Sequence, residues 1–434
     1  MNAAKYVLAG GLAVVGPHKP AVVNGGESIS YGDLAVRVSR FAAALREVGM
    51  KPGDRVALFM LDQRRLGVYL PRCDGRGRGR YRGFDARHER RSSANPCDYP
   101  AVRRHRRKRL RTRDNGRHGA ECKIVSSPAP SVVVGLQRSE TEFVPCVRRP
   151  DDPAYWVMTS GTTGQPKTVE HRHDNVCACT YYLVRSLAAT SADRFFPTSR
   201  LNFAYALGAM FGALRLGATL ILHERWPAPQ SVAATVELNR PSIVLSVPTL
   251  FQRLCECSFP SKLAFRAVRC YVSAGERLPP QIGAEWEKAT GRPIIDAMSC
   301  SELVHKIFAN TLSARRAGSF GHPVPGVEVR LIDQDGSEIT QSGRSGQLEV
   351  RASFLCAGYR LADAPPSAAA HRPTARFRGE WFATGDEYLR DEDGYYHHCG
   401  RSDDMLKVSG LWVSPCEIED VLAGIPTVRE LRPF

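Results

Sequence analysis

The sequence predicts an α/β protein: a large N-terminal body of mostly parallel sheets with flanking helices, followed by a β-rich unit. Three observations carry this expectation. Between residues 240 and 310, apolar strand-like runs alternate with helix-like runs, the pattern of parallel strands joined by crossover helices. Beyond Gly321 the texture changes to hairpins such as "VEVRLIDQDG" and "GYYHHCG". At 434 residues the chain is also too long for one ordinary core, and it contains no internal repeat.

The elements follow in order. Near the start, "YVLAGGLAVVG" is shorter than the roughly 20 residues of a membrane helix. It has the length of a signal peptide and one upstream lysine, but no small-residue cleavage site, so it reads as a buried N-terminal helix. Ser30 to Asp33 forms a capping box, and Leu34, Val38, Phe41, Leu45 and Val48 follow at alternating gaps of four and three, with Gly49 as the stop. "KPGD" then turns the chain into a strand over residues 55–61, and order returns near Val125. "SIVLSV" precedes a helix begun by Pro248, "VRCYVS" precedes "LPPQIGAEWEKAT", and "PIIDAM" precedes "SELVHKIFAN", which is read as a helix. Ser414, Pro415, Cys416 and Glu417 form a second capping box with Pro at the first helical position; Gly424 and Pro426 end that helix.

A hydrophobic content of 43% with 24% charged residues is that of a soluble globular enzyme, which excludes a wholly disordered chain. The net charge of +16 is local: residues 64–119 hold 19 Lys/Arg against 5 Asp/Glu, which leaves the remainder nearly neutral. That stretch has no periodicity and few aliphatic residues after Leu70, so it cannot bury enough surface to offset chain entropy. It is either a basic arm for polyanions or a segment whose coding frame is displaced, because GC-rich DNA read out of frame gives Arg/Gly/Pro-rich text. A strand leads into it where a compact enzyme continues with helix and strand, so the second reading is favoured and no specific nucleic-acid partner is expected. Thirteen cysteines include no Cys-x-x-Cys pair, and Cys177/Cys179 and Cys255/Cys257 have the wrong spacing for zinc. They are read as reduced, cytoplasmic thiols.

"TSGTTGQPKT", residues 159–168, is the first stretch suited to chemistry. It follows the strand-like "AYWVMTS" and so emerges at a strand end, where α/β folds bind ligands. Gly161, Gly164 and Lys167 do not fit the P-loop pattern G-x-x-x-x-G-K-[ST]. The glycines let backbone N–H groups approach phosphate oxygens, the hydroxyls of Ser160, Thr162 and Thr163 add donors, and Lys167 adds charge. A flexible surface loop produces the same text.

Six segments in order, "TSGTTGQPK", "SAGERLP", "SCSE", "WFATGD", "GRSDDMLKVSG" and "VSPCEIE", resemble the adenylate-forming acyl- and aryl-CoA synthetases. "LNFAYALG" and "SELVHKIFAN" bring the resemblance nearest to benzoate-CoA ligases, over residues 4–62 and 124–430. It implies ATP, Mg²⁺ and CoA, and a small aromatic carboxylic acid activated as its adenylate before transfer to the CoA thiol, with no membrane partner. An acid of another class, fatty or carrier-bound, and a non-catalytic nucleotide- or polyanion-binding remnant are the rival readings.

The resemblance also assigns roles. Thr159, Ser160, Gly161, Thr162, Thr163, Gly164 and Lys167 would cradle the leaving pyrophosphate, with Thr163, Lys167 and Glu302 catalytic. Glu302, at an expected strand-to-helix step, would supply the oxygen ligand that Mg²⁺ prefers, and Ser301 a phosphate donor; alone, Glu302 is a helix N-terminal acid. Ser273, Ala274, Gly275, Glu276 and Asp296 would meet adenine, although a plain strand-end turn gives the same text. Asp386 would accept both ribose hydroxyls and Arg401 would hold ribose or phosphate; in isolation they are a turn acid and a surface cation. Ala204, Tyr205 and His305 would receive a flat aryl acid, or else be core Tyr and satisfied His. "SCSE" departs from the family's Gly-small-Thr-Glu but keeps a hydroxyl. Lys306 stands where aryl-CoA ligases carry an apolar residue: it either snorkels away or tolerates a polar ring substituent.

Asp403 falls at the family's hinge, and Lys407, Ser409, Gly410 and Trp412 would line the pantetheine channel. The family's mobile lid, with its adenylation lysine, is expected to be largely missing, so adenylation is expected to be weak by on the order of 10² to 10³. The expected divisions are 1–63, the Arg-rich 64–119, the nucleotide- and acid-binding core 120–320, the β-rich 321–402, and the hinge and stub 403–434.

Overall fold

The computed structural model describes residues 1–25, 27–47, 49–58, 68–69, 124–125, 144–159, 167–223, 226–257, 262–304, 306–360, 370–373, 375–404, 406–408, 411–413, 418 and 422. Apart from residues 68–69, the Arg-rich segment lies outside them, as does nearly all of the helix expected after Ser414.

Helix α1 (Ala3–Val15) is capped by Asn2, whose side chain accepts from the Lys5 amide at 3.1 Å. Val7 and Leu8 bury against Tyr31 and Leu214, so the expected N-terminal helix forms. Strands β1 (Pro20–Asn24) and β2 (Glu27–Ser30) lead into α2 (Tyr31–Glu47). The predicted capping contact is present, with the Asp33 amide donating to Ser30 Oγ at 3.1 Å. The helix stops at Gly49, φ 84°, where the Met50 amide returns to the Leu45 carbonyl at 3.0 Å; Val48 lies outside the described residues.

Three two-residue strands, β3 (Ala57–Leu58), β4 (Val68–Tyr69) and β5 (Ile124–Val125), pair antiparallel. Then come β6 (Pro153–Thr159), β7 (Lys167–Arg172), α3 (Val176–Leu187), β8 (Arg194–Pro197), α4 (Ala204–Arg215), β9 (Thr219–Leu222), α5 (Pro229–Asn239), β10 (Ile243–Ser246) and α6 (Pro248–Glu256). They are followed by α7 (Lys262–Arg266), β11 (Cys270–Ser273), α8 (Pro280–Thr290), β12 (Ile294–Ser299), β13 (Lys306–Ala309) and β14 (His322–Pro323). The β-rich part comprises β15 (Val327–Ile332), β16 (Ser345–Ala352), β17 (Gly358–Arg360), β18 (Phe377–Arg378), β19 (Trp381–Arg390) and β20 (Tyr396–Arg401). The hairpin β21 (Leu406–Val408) and β22 (Leu411–Val413) follows.

The main sheet has nine strands in the order β14-β13-β12-β11-β10-β8-β9-β1-β2. From β12 to β1 the pairings are parallel, and antiparallel strands close both edges. Side chains alternate across it: Phe195, Ile243, Leu245, Cys270 and Val272 face one core with α3 and α4, whereas Phe196, Val244 and Tyr271 face another with α5, α6 and α8. This is the α/β body the sequence predicts. The antiparallel sheet β15-β16-β19-β18, with β20 on β19, shares the first core: the Phe308 ring stacks 4.5 Å from that of Tyr396.

One local expectation fails. "SELVHKIFAN" is not a helix; it is a tight turn followed by β13, antiparallel to β12. All four residues of β13 are buried, and a short apolar run buried on both faces has no period that separates strand from helix. Glu302 therefore stands at a strand-to-strand turn, and the helix-dipole account of it falls. The stretch "TSGTTGQPKT" begins at the end of β6, as expected, and its last residues open β7, which pairs antiparallel with β6 so that Thr159 is the register partner of Lys167.

Candidate active site

The order of strands reverses at β8. One connection runs through α4 to β9 on one side, and β10, β11 and β12 step away on the other. A crevice opens at the carboxyl ends where two such directions part, and Thr198 and Ser246 bridge it by a 2.9 Å hydroxyl contact. Beside it lies a cavity of about 380 Å³ including its open mouth. Its walls are Cys179, Tyr182 and Leu183 of α3, Ala204, Tyr205, Gly208 and Ala209 of α4, Leu245, Ser299, Cys300, Val304 and Lys306.

The shape of this cavity depends on one close approach. A Cβ on Gly208 would stand 2.6 Å from the Val304 carbonyl oxygen, so only glycine lets α4 meet the turn after β12. Val304 itself holds φ 51°, costly for a β-branched residue. That turn is fixed by amides of Leu303 and Val304 donating to the Cys300 carbonyl at 3.3 and 3.2 Å.

Two of the three residues expected to receive the acid, Ala204 and Tyr205, line the cavity; His305 lies outside the described residues. Tyr205 donates its hydroxyl to the Val272 carbonyl at 3.1 Å, which leaves its ring as the recognition surface. Lys306 does not snorkel. It is 4% exposed, its Nζ lies 3.8 Å from the Tyr205 ring centroid and 5.9 Å from that of Tyr182, and it makes no hydrogen bond. Burial holds its amine down to about 7, against the opposing pull of Asp296.

Asp296 is buried within β12, and its two oxygens accept the amides of Leu278 and Ala297, each at 3.1 Å. Burial raises its carboxyl to about 8, with those amides and Lys306 pulling the other way. Both of the oxygens expected to meet adenine are thus already bonded within the protein. Its register partner on β11, Ser273, is fully buried with an Oγ that has no hydrogen-bond partner. Ala274 is buried, Gly275 turns the chain at φ 101°, and Glu276 is exposed.

These shifts give a signed prediction. A lysine whose folded-state value lies below its usual 10.5 destabilises the fold fully below about pH 7, and the penalty fades as pH rises to 10.5. Lys306→Met should therefore be more stable than the parent by on the order of 3 kcal/mol at pH 7. The raised carboxyl of Asp296 has the opposite slope between about pH 4 and 8, but it is present in both proteins. Denaturant unfolding at pH 7 and pH 10 checks this: the advantage must shrink at the higher pH.

Tyr359 joins residues that the sequence places far apart. Its hydroxyl donates to Glu302 Oε1 at 2.8 Å, and Lys167 Nζ lies 5.7 Å from its ring centroid. Tyr359 is carried by β17, which pairs with β7 opposite Val169. His171 of β7 donates from Nε2 to the Ser301 carbonyl at 2.8 Å, and burial pushes it down to about 4, so it is neutral. The structure therefore brings Thr159, Lys167, Ser301 and Glu302 together; Ser160, Gly161, Thr162, Thr163 and Gly164 lie outside the described residues. Among the described residues no three His, Cys, Asp or Glu cluster as a metal site. A lone carboxylate nevertheless fits Mg²⁺, which is held by one or two carboxylates plus substrate phosphates.

Asp386 and Arg401 are register partners on β19 and β20, with Arg401 Nη1 2.8 Å from Asp386 Oδ1. One of the two oxygens expected to take ribose is therefore already engaged, whereas Arg401 Nε is buried without a hydrogen-bond partner. The fully buried phenol of Tyr388 is raised by burial and by both Asp386 and Asp296, so it lies within electrostatic reach of the two carboxylates. Asp403 Oδ2 stands 3.9 Å from Arg401. Lys407 and Trp412 pair across β21 and β22; Ser409 and Gly410 lie outside the described residues. Sequence reasoning missed Tyr359 and His171, whose only signal is pairing between distant strands.

An open, mostly parallel sheet with its cleft at the reversal of strand order defines the ligand-binding α/β class. Comparison makes the class specific: the chain belongs to the AMP-binding enzyme family, which its residues 13–66 and 100–360 match. It is 34% identical over 450 residues to 3-hydroxybenzoate–CoA ligase of Aromatoleum sp. (strain CIB), covering 99% of this chain and 83% of that one. Benzoate–CoA ligase of Thauera aromatica is 32% identical over 453 residues, covering 99% of this chain and 82% of its own. The crystal structure of a benzoate CoA ligase from Burkholderia xenovorans LB400 superposes with TM-score 0.74 at 26% identity, covering 98% and 84% of the two chains.

Proposed function

We propose that this protein activates a benzoate-like aromatic carboxylic acid with ATP and transfers the acyl group to CoA. The carboxylate oxygen attacks the α-phosphorus, the bond to the β-phosphate breaks and pyrophosphate leaves. CoA sulfur then attacks the acyl carbon and AMP departs. The observation that carries this reading is the cavity lined by Ala204, Tyr205, Cys300 and Val304, the last two of which flank Glu302 in the turn after β12. In this reading a flat ring held there directs its carboxylate toward Tyr359, which Glu302 and Lys167 both approach. Holding two reactants in line supplies much of the rate in such a reaction.

In this reading Glu302 holds Mg²⁺, which supplies charge neutralisation on the phosphates when bound. Lys167 stabilises the departing pyrophosphate with residues 160–164. Asp386, held by Arg401, accepts from ribose, and Ser273 Oγ and the edge of the Ser273-Ala274-Gly275-Glu276 loop receive adenine, with Asp296 fixing that loop through the Leu278 amide. Asp403 acts as the hinge, and the β21–β22 hairpin with Lys407 and Trp412 meets pantetheine.

Benzoate-dependent exchange of pyrophosphate into ATP tests the reaction. A panel giving exchange only with fatty acids would overturn the aryl assignment. Asp386→Ala should weaken ATP binding by about 10- to 100-fold, the loss of a charged hydrogen-bond acceptor, as read by calorimetry. An unchanged affinity would remove Asp386 from the site.

The family match leaves out residues 67–99 of the Arg-rich segment, which supports reading those residues as no part of the nucleotide site. Sequencing the coding DNA through it distinguishes a displaced frame from a true basic arm. No helix among the described residues is long and apolar enough to cross a membrane. The nine cysteines among them are free thiols, which supports a cytoplasmic placement.

A further inference from the structure

The aryl cavity contains one group that an unsubstituted benzoate cannot satisfy. Lys306 enters it from β13 between Tyr182 and Tyr205, inside a wall otherwise built of Leu183, Leu245 and small residues. Its three N–H donors make no hydrogen bond, and the Tyr205 ring face accounts for only one direction around the nitrogen. A buried donor without a partner is costly, and a ligand that supplies the partner recovers that cost on binding.

We propose that Lys306 is a specificity-determining residue that hydrogen-bonds a hydroxyl on the ring of the aromatic acid, so that the preferred substrate class is hydroxylated arenecarboxylic acids. This rests on the aryl-adenylation reading and narrows it. A hydroxyl suits the position better than a second carboxylate. Burial holds the amine down to about 7, so near neutrality it is only partly an ammonium, with Asp296 the opposing charge. A hydroxyl accepts from the ammonium and donates to the neutral amine, whereas a carboxylate requires the charge at all times. The flat aromatic walls select the ring, and Lys306 selects its substituent.

The test uses non-hydrolysable aryl-sulfamoyl adenosines carrying benzoyl, 3-hydroxybenzoyl, 4-hydroxybenzoyl or 4-carboxybenzoyl groups, titrated calorimetrically into the full chain and its Lys306→Met and Lys306→Gln variants. The parent should bind one hydroxybenzoyl mimic about 10- to 100-fold tighter than the benzoyl mimic. Lys306→Met should abolish that preference, and Lys306→Gln, which retains a donor, should restore part of it. Equal affinities in the parent, a preference that survives in Lys306→Met, or tightest binding of the carboxybenzoyl mimic would each overturn the proposal. Absence of binding by every mimic, benzoyl included, to folded protein would instead overturn the aryl-adenylation reading beneath it.

Discussion

Glu302→Gln is expected to lower aryl-dependent pyrophosphate exchange by about 10²- to 10³-fold, the scale on which a positioned electrostatic group acts at developing charge. The amide keeps the size and can still accept from the Tyr359 hydroxyl, now 2.8 Å from Glu302 Oε1. What it loses is the anionic oxygen that a hard divalent cation prefers. The defect should therefore appear as a lower rate and a raised Mg²⁺ requirement, with the unfolding midpoint little changed. A variant that matches the parent at every Mg²⁺ concentration would exclude Glu302 from the metal site.

The largest effect on stability is expected at Glu170. This carboxylate is 2% exposed, accepts from Trp156 Nε1 at 3.0 Å and pairs with Arg360 Nε of β17. Glu170→Ala strands the Arg360 guanidinium, whose Nη1 already has no hydrogen-bond partner, in a buried site. The expected loss is about 3–5 kcal/mol in denaturant unfolding. The double variant Glu170→Ala/Arg360→Met should recover most of it, because the uncompensated charge is then gone. If the double variant is as unstable as the single one, the ion pair is not the cause. Exchange activity should fall with the single variant, since β17 also carries Tyr359.

How far the sequence predicts this molecule depends on how local each signal is. The Ser30–Asp33 cap and the helix starts at Pro248 and Pro280 rest on chemistry within one turn, and they stand where expected. The strands β10, β11 and β12, with the helices after β10 and β11, also follow from the local alternation of apolar and helix-like runs. The error at β13 arises because four buried residues carry no amphipathic period. At the site, Ala204 and Tyr205 were found through the family resemblance, since each alone is an ordinary core residue. Tyr359 could not be found in this way, because its partners Lys167 and Glu302 are assembled by pairing of β17 with β7. Lys306 stood out only as a departure from pattern, and its burial removes the snorkelling reading.

The contact of Gly208 with the Val304 carbonyl makes a single joint of two tasks. The helix that lines the cavity leans on the same strained bend that carries Glu302, the carboxylate proposed to hold Mg²⁺. On the proposed roles, widening the pocket from the α4 side would displace Glu302 as well, which ties breadth of diet to speed of turnover. Variants with altered appetite should arise from the opposite wall, at β13, where side chains can change without moving the bend.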